Sequence, residues 1–259
     1  MKVLTSVLNI QEVLTKIICG KLVNSTILNF KDGKIIAEGS GIQDTAGKVD
    51  GTMPFFVSYP CTVEEEDKVP LADLKAVLSK IGMFEKEDNV SLSIAENKLI
   101  IDREVPKRVL TIDLADEKFI PTAYKDQQTT IFASNKVTLK TPKGKEKEIP
   151  FTATVICDSA FLKDFAKAAT EMAPTKIPLQ VKDGKFFSAM KGNGSDLMAE
   201  IKSDKAEGEA ISKYGKEIID IFNIGFGLAT IGFANDAPIV ISYELNDKKT
   251  CYMLSPTKK

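Results

Sequence analysis

The chain contains no histidine. That one absence removes Ser-His-Asp and Cys-His catalysis, histidine-ligated metals and the commonest general base. Cys19, Cys61, Cys157 and Cys251 are scattered, with no CxxC pair. Neither a zinc site nor a redox motif is expected of them, and they read as buried free thiols. No Gly-Lys pair has a second glycine at P-loop spacing before it. Gly192-Asn193-Gly194 lacks the third glycine and the preceding βαβ pattern of a dinucleotide site, and reads as a turn. Glu64-Glu65-Glu66-Asp67 points adjacent like charges apart, which suits solvent better than a bound cation. No apolar run approaches the roughly 20 residues that cross a bilayer. The apolar start is interrupted by Asn9, Gln11 and Glu12, unlike a signal peptide, so an intracellular protein is expected. No catalytic residue, metal, cofactor or membrane partner is expected, and the chain does not read as an enzyme.

What is present describes a soluble globular protein. The chain has 259 residues, enough for one large domain or two of ordinary size, and is 43% hydrophobic and 27% charged. Its 35 basic residues are balanced by 36 acidic ones, for a net charge of −1. A surface for nucleic acid must therefore come from where the lysines sit, not from their excess.

The strongest internal signal is repetition. Lys31-Asp32-Gly33-Lys34 recurs as Lys182-Asp183-Gly184-Lys185. Before the first copy, Ile10, Val13, Leu14, Ile17 and Ile18 follow helical spacing. Before the second, Phe161, Leu162, Phe165, Ala168, Ala169 and Met172 do the same. Each helix leads into an alternating strand (26–30; 177–181), an Asp-Gly turn and a second strand. Asp-Gly between apolar runs is a hairpin cue because both central positions need positive φ. A second helix follows in each half, from Leu71, Leu74, Val77, Leu78 and Ile81, then from Tyr214, Ile218, Ile221 and Phe222. Further strands are expected over 90–94 and 98–102, and over 228–233 and 239–245. The fold class is α+β: two similar domains, each an antiparallel sheet with two short helices on one face. The domains are placed at 1–117 and 150–259, joined by an extended connector, 118–149.

All four helices carry lysines off the apolar stripe: Lys16 and Lys21, Lys75 and Lys80, Lys163 and Lys167, Lys213 and Lys216. Together they make a basic helical face on a neutral protein, suited to a sequence-independent, salt-sensitive grip on duplex DNA phosphates. Glu12, Asp73, Asp164, Glu217 and Asp220 dilute it.

The C-terminal region adds a family resemblance. Ala237-Pro238-Ile239-Val240-Ile241-Ser242-Tyr243-Glu244-Leu245 and Tyr252-Met253-Leu254-Ser255-Pro256 resemble the "VPLVVEY" strand and terminal "YYLAP" of sliding clamps of the proliferating cell nuclear antigen (PCNA) type. Val69-Pro70-Leu71 and Lys185-Phe186-Phe187-Ser188-Ala189 agree in order and spacing. The resemblance implies a closed trimer with helices lining the hole, acting as a DNA polymerase processivity factor loaded by a separate ATPase. It implies joints between subunits at strands 109–114 and 185–191, with Leu110, Ile112, Phe186 and Phe187 at or near them. It also implies a pocket for partner peptides at Phe119, Ile120 and Pro121 in the connector, Pro238, and Met253, Leu254, Ser255 and Pro256.

Three features depart from the family. The connector is longer and carries a strand-like 129–132 and Lys136, Lys140, Lys143, Lys145 and Lys147. Phage clamps have a comparable "TIF … IPF" passage, matched by Thr130-Ile131-Phe132 and Ile149-Pro150-Phe151. The lysines match helix by helix, with only Lys163 falling where a basic residue is expected, and Met253 replaces a usual tyrosine. A related ring subunit for repair or checkpoint signalling, or a viral clamp-like interaction module, are the alternatives.

Overall fold

The computed structural model describes residues 1–45, 48–120, 135–140 and 146–257, without the side chains of residues 21, 41–45, 48–52, 139 and 140. The chain divides into two compact units: Met1–Ile42, Phe55–Tyr124 and Asp247–Lys249, and Gln43–Pro54, Lys125–Asn246 and Thr250–Lys259. The two short exchanged segments have no cue in the sequence pattern.

In the first unit β1 (Lys2–Ser6) runs straight into α1 (Val7–Ile18). There follow β2 (Thr26–Lys31), β3 (Lys34–Thr45), β4 (Lys48–Pro60), β5 (Thr62–Glu65) and β6 (Asp67–Leu71). Then come α2 (Leu74–Ile81), β7 (Asn89–Ala95), β8 (Lys98–Arg103) and β9 (Arg108–Asp113). The strands form two antiparallel layers, ordered β5-β1-β7-β8-β9 and β4-β3-β2-β6.

The second unit opens with a hairpin, β10 (Lys136–Lys140) and β11 (Glu146–Pro150), inside the expected connector. It continues with β12 (Ala153–Asp158), α3 (Ser159–Met172), β13 (Ile177–Lys182), β14 (Lys185–Gly192) and β15 (Ser195–Ile201). After these come β16 (Lys205–Gly208), β17 (Ala210–Tyr214) and α4 (Glu217–Asn223). The last strands are β18 (Leu228–Phe233), β19 (Ile239–Leu245) and β20 (Lys248–Leu254). Their orders are β16-β12-β18-β19-β20 and β15-β14-β13-β17, which repeat the first unit strand for strand. The duplication read from the sequence is thus structural, with two sheets per unit where the pattern suggested one.

Local chemistry explains the repeat. Ser6 caps α1 by accepting from the Asn9 N–H at 3.2 Å, and Asp158 caps α3 by accepting from Ala160 at 2.8 Å. Each cap converts a strand directly into a helix by satisfying an orphan donor. Both Asp-Gly turns have positive φ at both positions, 51° and 69° at Asp32 and Gly33, 52° and 71° at Asp183 and Gly184. The geometry is that of the primed hairpin turn. Ile10, Val13 and Leu14 of α1 and Val77 and Ile81 of α2 enclose an apolar interior with Leu28, Phe30, Ile35, Leu92, Leu99 and Ile101. In the second unit Leu162 and Phe165 of α3 meet Ile218, Ile221 and Phe222 of α4, all at most 5% exposed. The Phe165 and Phe222 rings stand edge to face at 6.0 Å. Each such side chain contributes about 1.5–3 kcal/mol on burial.

Two helix boundaries differ from expectation. Leu71 ends β6, and α2 begins only after Asp73, whose carboxylate caps it through the Ala76 N–H at 3.2 Å. Tyr214 ends β17, because α4 starts at Glu217. Periodicity alone cannot tell a strand end from a helix start when the apolar residues fall in phase.

Candidate functional site

The expected basic face resolves into unequal parts. Lys75 and Lys80 project from α2 into solvent; Lys163 is half-buried on α3, Lys167 is exposed, and Lys16 is half-exposed in the last turn of α1. Among the described residues no carboxylate lies within ion-pair distance of Lys75, Lys80, Lys163, Lys213 or Lys216. Lys167 instead pairs with Asp164 at 3.2 Å, one turn away. The Lys21 side chain lies outside the description. Lys213 is not helical: it lies in β17, and its carbonyl accepts from the Thr257 N–H at 2.8 Å. Lys216 is the residue before α4, whose own first turn is acidic through Glu217 and Asp220.

Some carboxylates counted against this face are already engaged. The Glu12 carboxylate accepts from Lys248 Nζ at 2.7 Å, and that ammonium also lies 5.0 Å from the Tyr59 ring centre. Asp73 is used as the cap of α2. Of these, only Glu12 is neutralised by a cation from outside the face; Asp73 keeps its charge at the start of α2.

The two strands expected at the subunit joint are placed differently in their sheets. Strand β9 lies at the edge of its sheet, with Val109 50% exposed, Leu110 half-buried and Ile112 buried. Strand β14 does not: it pairs with β13 on one side and β15 on the other. Phe186 is fully buried and Phe187 half-buried, and the backbone of their strand is already engaged on both sides. The edge beyond them is β15, where Met198 is 73% exposed. The alternation of Leu197, Ala199 and Ile201 after the Asn193-Gly194 turn is the signal that could have found it.

The residues expected in the peptide pocket differ widely in exposure. Phe119 ends a short 3₁₀ turn and is 78% exposed, with Lys118 Nζ 5.2 Å above its ring, whereas Ile120 is buried. Pro121 lies outside the described residues, as do 129–132, Lys143 and Lys145. Pro238 is buried and Leu254 wholly so, pointing into the second unit's core; Ser255 and Pro256 are half-exposed. Met253 is only 5% exposed because Val137 of β10 packs against it and Val240, with Ile149 and Phe151 beside them. The resemblance implies a pocket that includes Met253; in this structure the chain's own hairpin packs on that side chain.

Nothing in the thiols resembles a nucleophile. All four cysteines are reduced thiols; three are buried and Cys61 half-buried. Burial pushes the Cys61 thiol up to about 11 and the Cys157 thiol up to about 12, away from the thiolate form. The described residues contain no group of three or more metal-ligating side chains, and no helix among them is long and apolar enough to cross a membrane.

The fold is that of the PCNA-type sliding clamps. A. fulgidus PCNA, solved with the C-terminal region of FEN-1 bound, aligns with a TM-score of 0.76 at 16% identity, covering 100% of this chain and 98% of that one. A subunit of the PCNA2–PCNA3 complex of Sulfolobus tokodaii aligns at 0.71 and 16% identity, over 99% of both chains. In sequence the chain is similar to DNA polymerase sliding clamps of archaea. It is 25% identical over 232 residues to that of Pyrococcus furiosus, covering 82% of this chain and 92% of the relative. The clamp of Thermococcus fumicolans is also 25% identical, over 206 residues. No family model matches. The chain is PCNA-like in fold throughout and in sequence over most of its length, as its C-terminal motifs suggested.

Proposed function

We propose that this chain is one subunit of a DNA sliding clamp, a processivity factor that encircles duplex DNA and tethers a DNA polymerase without performing chemistry. One observation carries the reading: two units of identical strand order, each with its own pair of helices, built on the clamp fold over the whole chain. Closure into a trimer pairs the β9 edge of one subunit with the β15 edge of the next. Two edges that are unpaired among the described residues and carry exposed apolar side chains call for such a partner. The DNA-facing residues are Lys75, Lys80, Lys163 and Lys16, then Lys216, Lys167, Lys21 and Lys213. Each needs to supply only a non-specific phosphate contact, which weakens with salt and permits sliding. Threading circular DNA requires one joint of the ring to open, the step for which a loader ATPase is the expected partner.

Two measurements test this. Light scattering across concentration should give three subunits of 28.3 kDa, about 85 kDa. Loaded clamp should stay on circular DNA and slide off linear DNA with free ends. A stable dimer sinks the reading, and a monomer that trimerises only with other chains favours a heteromeric repair or checkpoint ring.

A further inference from the structure

The first unit holds a cleft of about 1050 Å³, at the upper end of the roughly 300–1,000 Å³ typical of ligand sites. It crosses the end of one sheet, from Thr62 of β5 over β1 and β7 to the turn between β8 and β9. Its walls are fixed by hydrogen bonds. The Val7 and Leu8 N–H groups, orphan donors at the start of α1, donate to the Asp88 and Lys86 carbonyls at 2.9 and 3.0 Å. Asn9 Nδ2 donates to the Pro60 carbonyl at 3.3 Å. Arg103 secures the other side through its pair with Asp88 and its bond to the Pro106 carbonyl at 3.1 Å.

The lining defines what fits. Leu4 and Val105 stand 43% and 84% exposed in the cleft and offer it apolar surface. Four carboxylates line it against one cation, Arg103. Asp88 is held by Arg103 and Asp102 by Lys107. Glu87 and Glu104 have no cation within ion-pair distance among the described residues. Thr5, on the wall, is 8% exposed, and its hydroxyl meets no hydrogen-bond partner among the described residues. Buried polar groups are normally paired, so an orphan beside a cleft marks a place for a ligand's polar group. The carboxylates do not converge as metal ligands, and their charge repels phosphate. We propose that the cleft binds an extended segment of a partner protein. A lysine or arginine of that segment pairs with Glu87 or Glu104, an aliphatic side chain packs on Leu4 and Val105, and a polar group bonds the Thr5 hydroxyl. Walls already held in place spare the cost of ordering them on binding. The cleft lies within one unit and needs no ring, so the site goes beyond the clamp reading and stands apart from it.

The test uses the full chain and a fluorescent octapeptide of lysine, leucine and serine, followed by anisotropy in low salt. The same peptide with glutamate in place of lysine should not bind. Glu87→Gln with Glu104→Gln should weaken binding by about tenfold or more, through loss of the charge pairs. Glu171→Gln with Glu209→Gln removes as much exposed charge from the second unit and should leave binding unchanged. Thr5→Val keeps the shape of the side chain without its hydroxyl. It should weaken binding by about threefold or more while holding or raising the melting temperature, because the free chain loses an unpaired buried group. Thr5→Ser retains the hydroxyl and should bind as the unaltered chain does. Absence of binding by the basic peptide, equal losses from the two carboxylate pairs, or an affinity unchanged in Thr5→Val each overturn the site. Trimer mass and retention of the unaltered chain on circular DNA score the clamp reading separately, so either can fail alone.

Discussion

Arg103 is the most deeply buried cation described, 7% exposed, and it pairs with Asp88, itself 16% exposed. The pair does more than neutralise charge. Arg103 Nε donates to the Pro106 carbonyl at 3.1 Å, while Asp88 Oδ2 also accepts from the Glu85 N–H at 2.9 Å. One ion pair thus ties the turn after α2 to the end of β8. Asp88→Asn keeps the size of the side chain but leaves a buried guanidinium without its counter-charge. It should cost about 3 kcal/mol, read as a lowered urea midpoint with an unchanged slope. The high-pH side of stability is set by different residues. Burial raises the Cys61 and Cys157 thiols, and the Tyr59 and Tyr214 hydroxyls, above their ordinary values. The folded chain therefore holds protons that the unfolded chain releases once pH exceeds the ordinary thiol value of 9.0. The contribution of these groups is complete below that pH and is lost as pH climbs through the raised values. The melting temperature should fall steadily between pH 9 and pH 11 in calorimetry, with the Cys61→Ser variant losing less over that window.

Among elements, glycines at turns separate two kinds of constraint. Gly184, at φ +71°, has nothing within 4 Å of where a Cβ would stand, so Gly184→Ala meets only left-handed backbone strain. Gly208, at φ +74°, has the Thr152 carbonyl oxygen 2.0 Å from that point. Gly184→Ala should cost about 1 kcal/mol, and Gly208→Ala clearly more, because backbone there must move as well. Thermal unfolding of the two variants side by side checks the order. The contrast also shows what a sequence carries. The turn at Asp183-Gly184 was legible, since its chemistry is local and two residues long. So were α1, α3, β18 and β19, whose periodicity is uninterrupted. The direct entry of β1 into α1 was not, because five alternating residues next to twelve helical ones read as one apolar stretch. Lys213 was misplaced for the same reason, β17 and α4 being nearly in phase. Alternation alone does not tell an interior strand from an interface strand at Phe186; the pairing of β14 on both sides shows that its strand is interior to the sheet. The fate of Met253 lay furthest out of reach, since what covers it comes from a segment more than a hundred positions away.

For the whole molecule, a net charge of −1 means that no overall attraction holds the chain to DNA. Under the clamp reading proposed above, retention must come from closure, and closure depends on which edges meet. Val109 on β9 and Met198 on β15 are exposed, so charging either should leave the fold of the subunit within about 0.5 kcal/mol of the original. Val109→Glu should nonetheless convert the trimer to a 28.3 kDa species on a sizing column and abolish retention on circular DNA. Met198→Lys should do the same by desolvating an ammonium in the joint. The informative variant combines them. When β9 of one subunit meets β15 of the next, every joint in the double variant brings a glutamate opposite a lysine, and the trimer should reform in low salt and weaken as salt rises. When instead like edges meet, β9 with β9, every joint holds two glutamates or two lysines, and the double variant stays dissociated. Recovery of an assembly of about 85 kDa therefore fixes the direction of the ring, head to tail, which is the arrangement that closes after a whole number of identical steps.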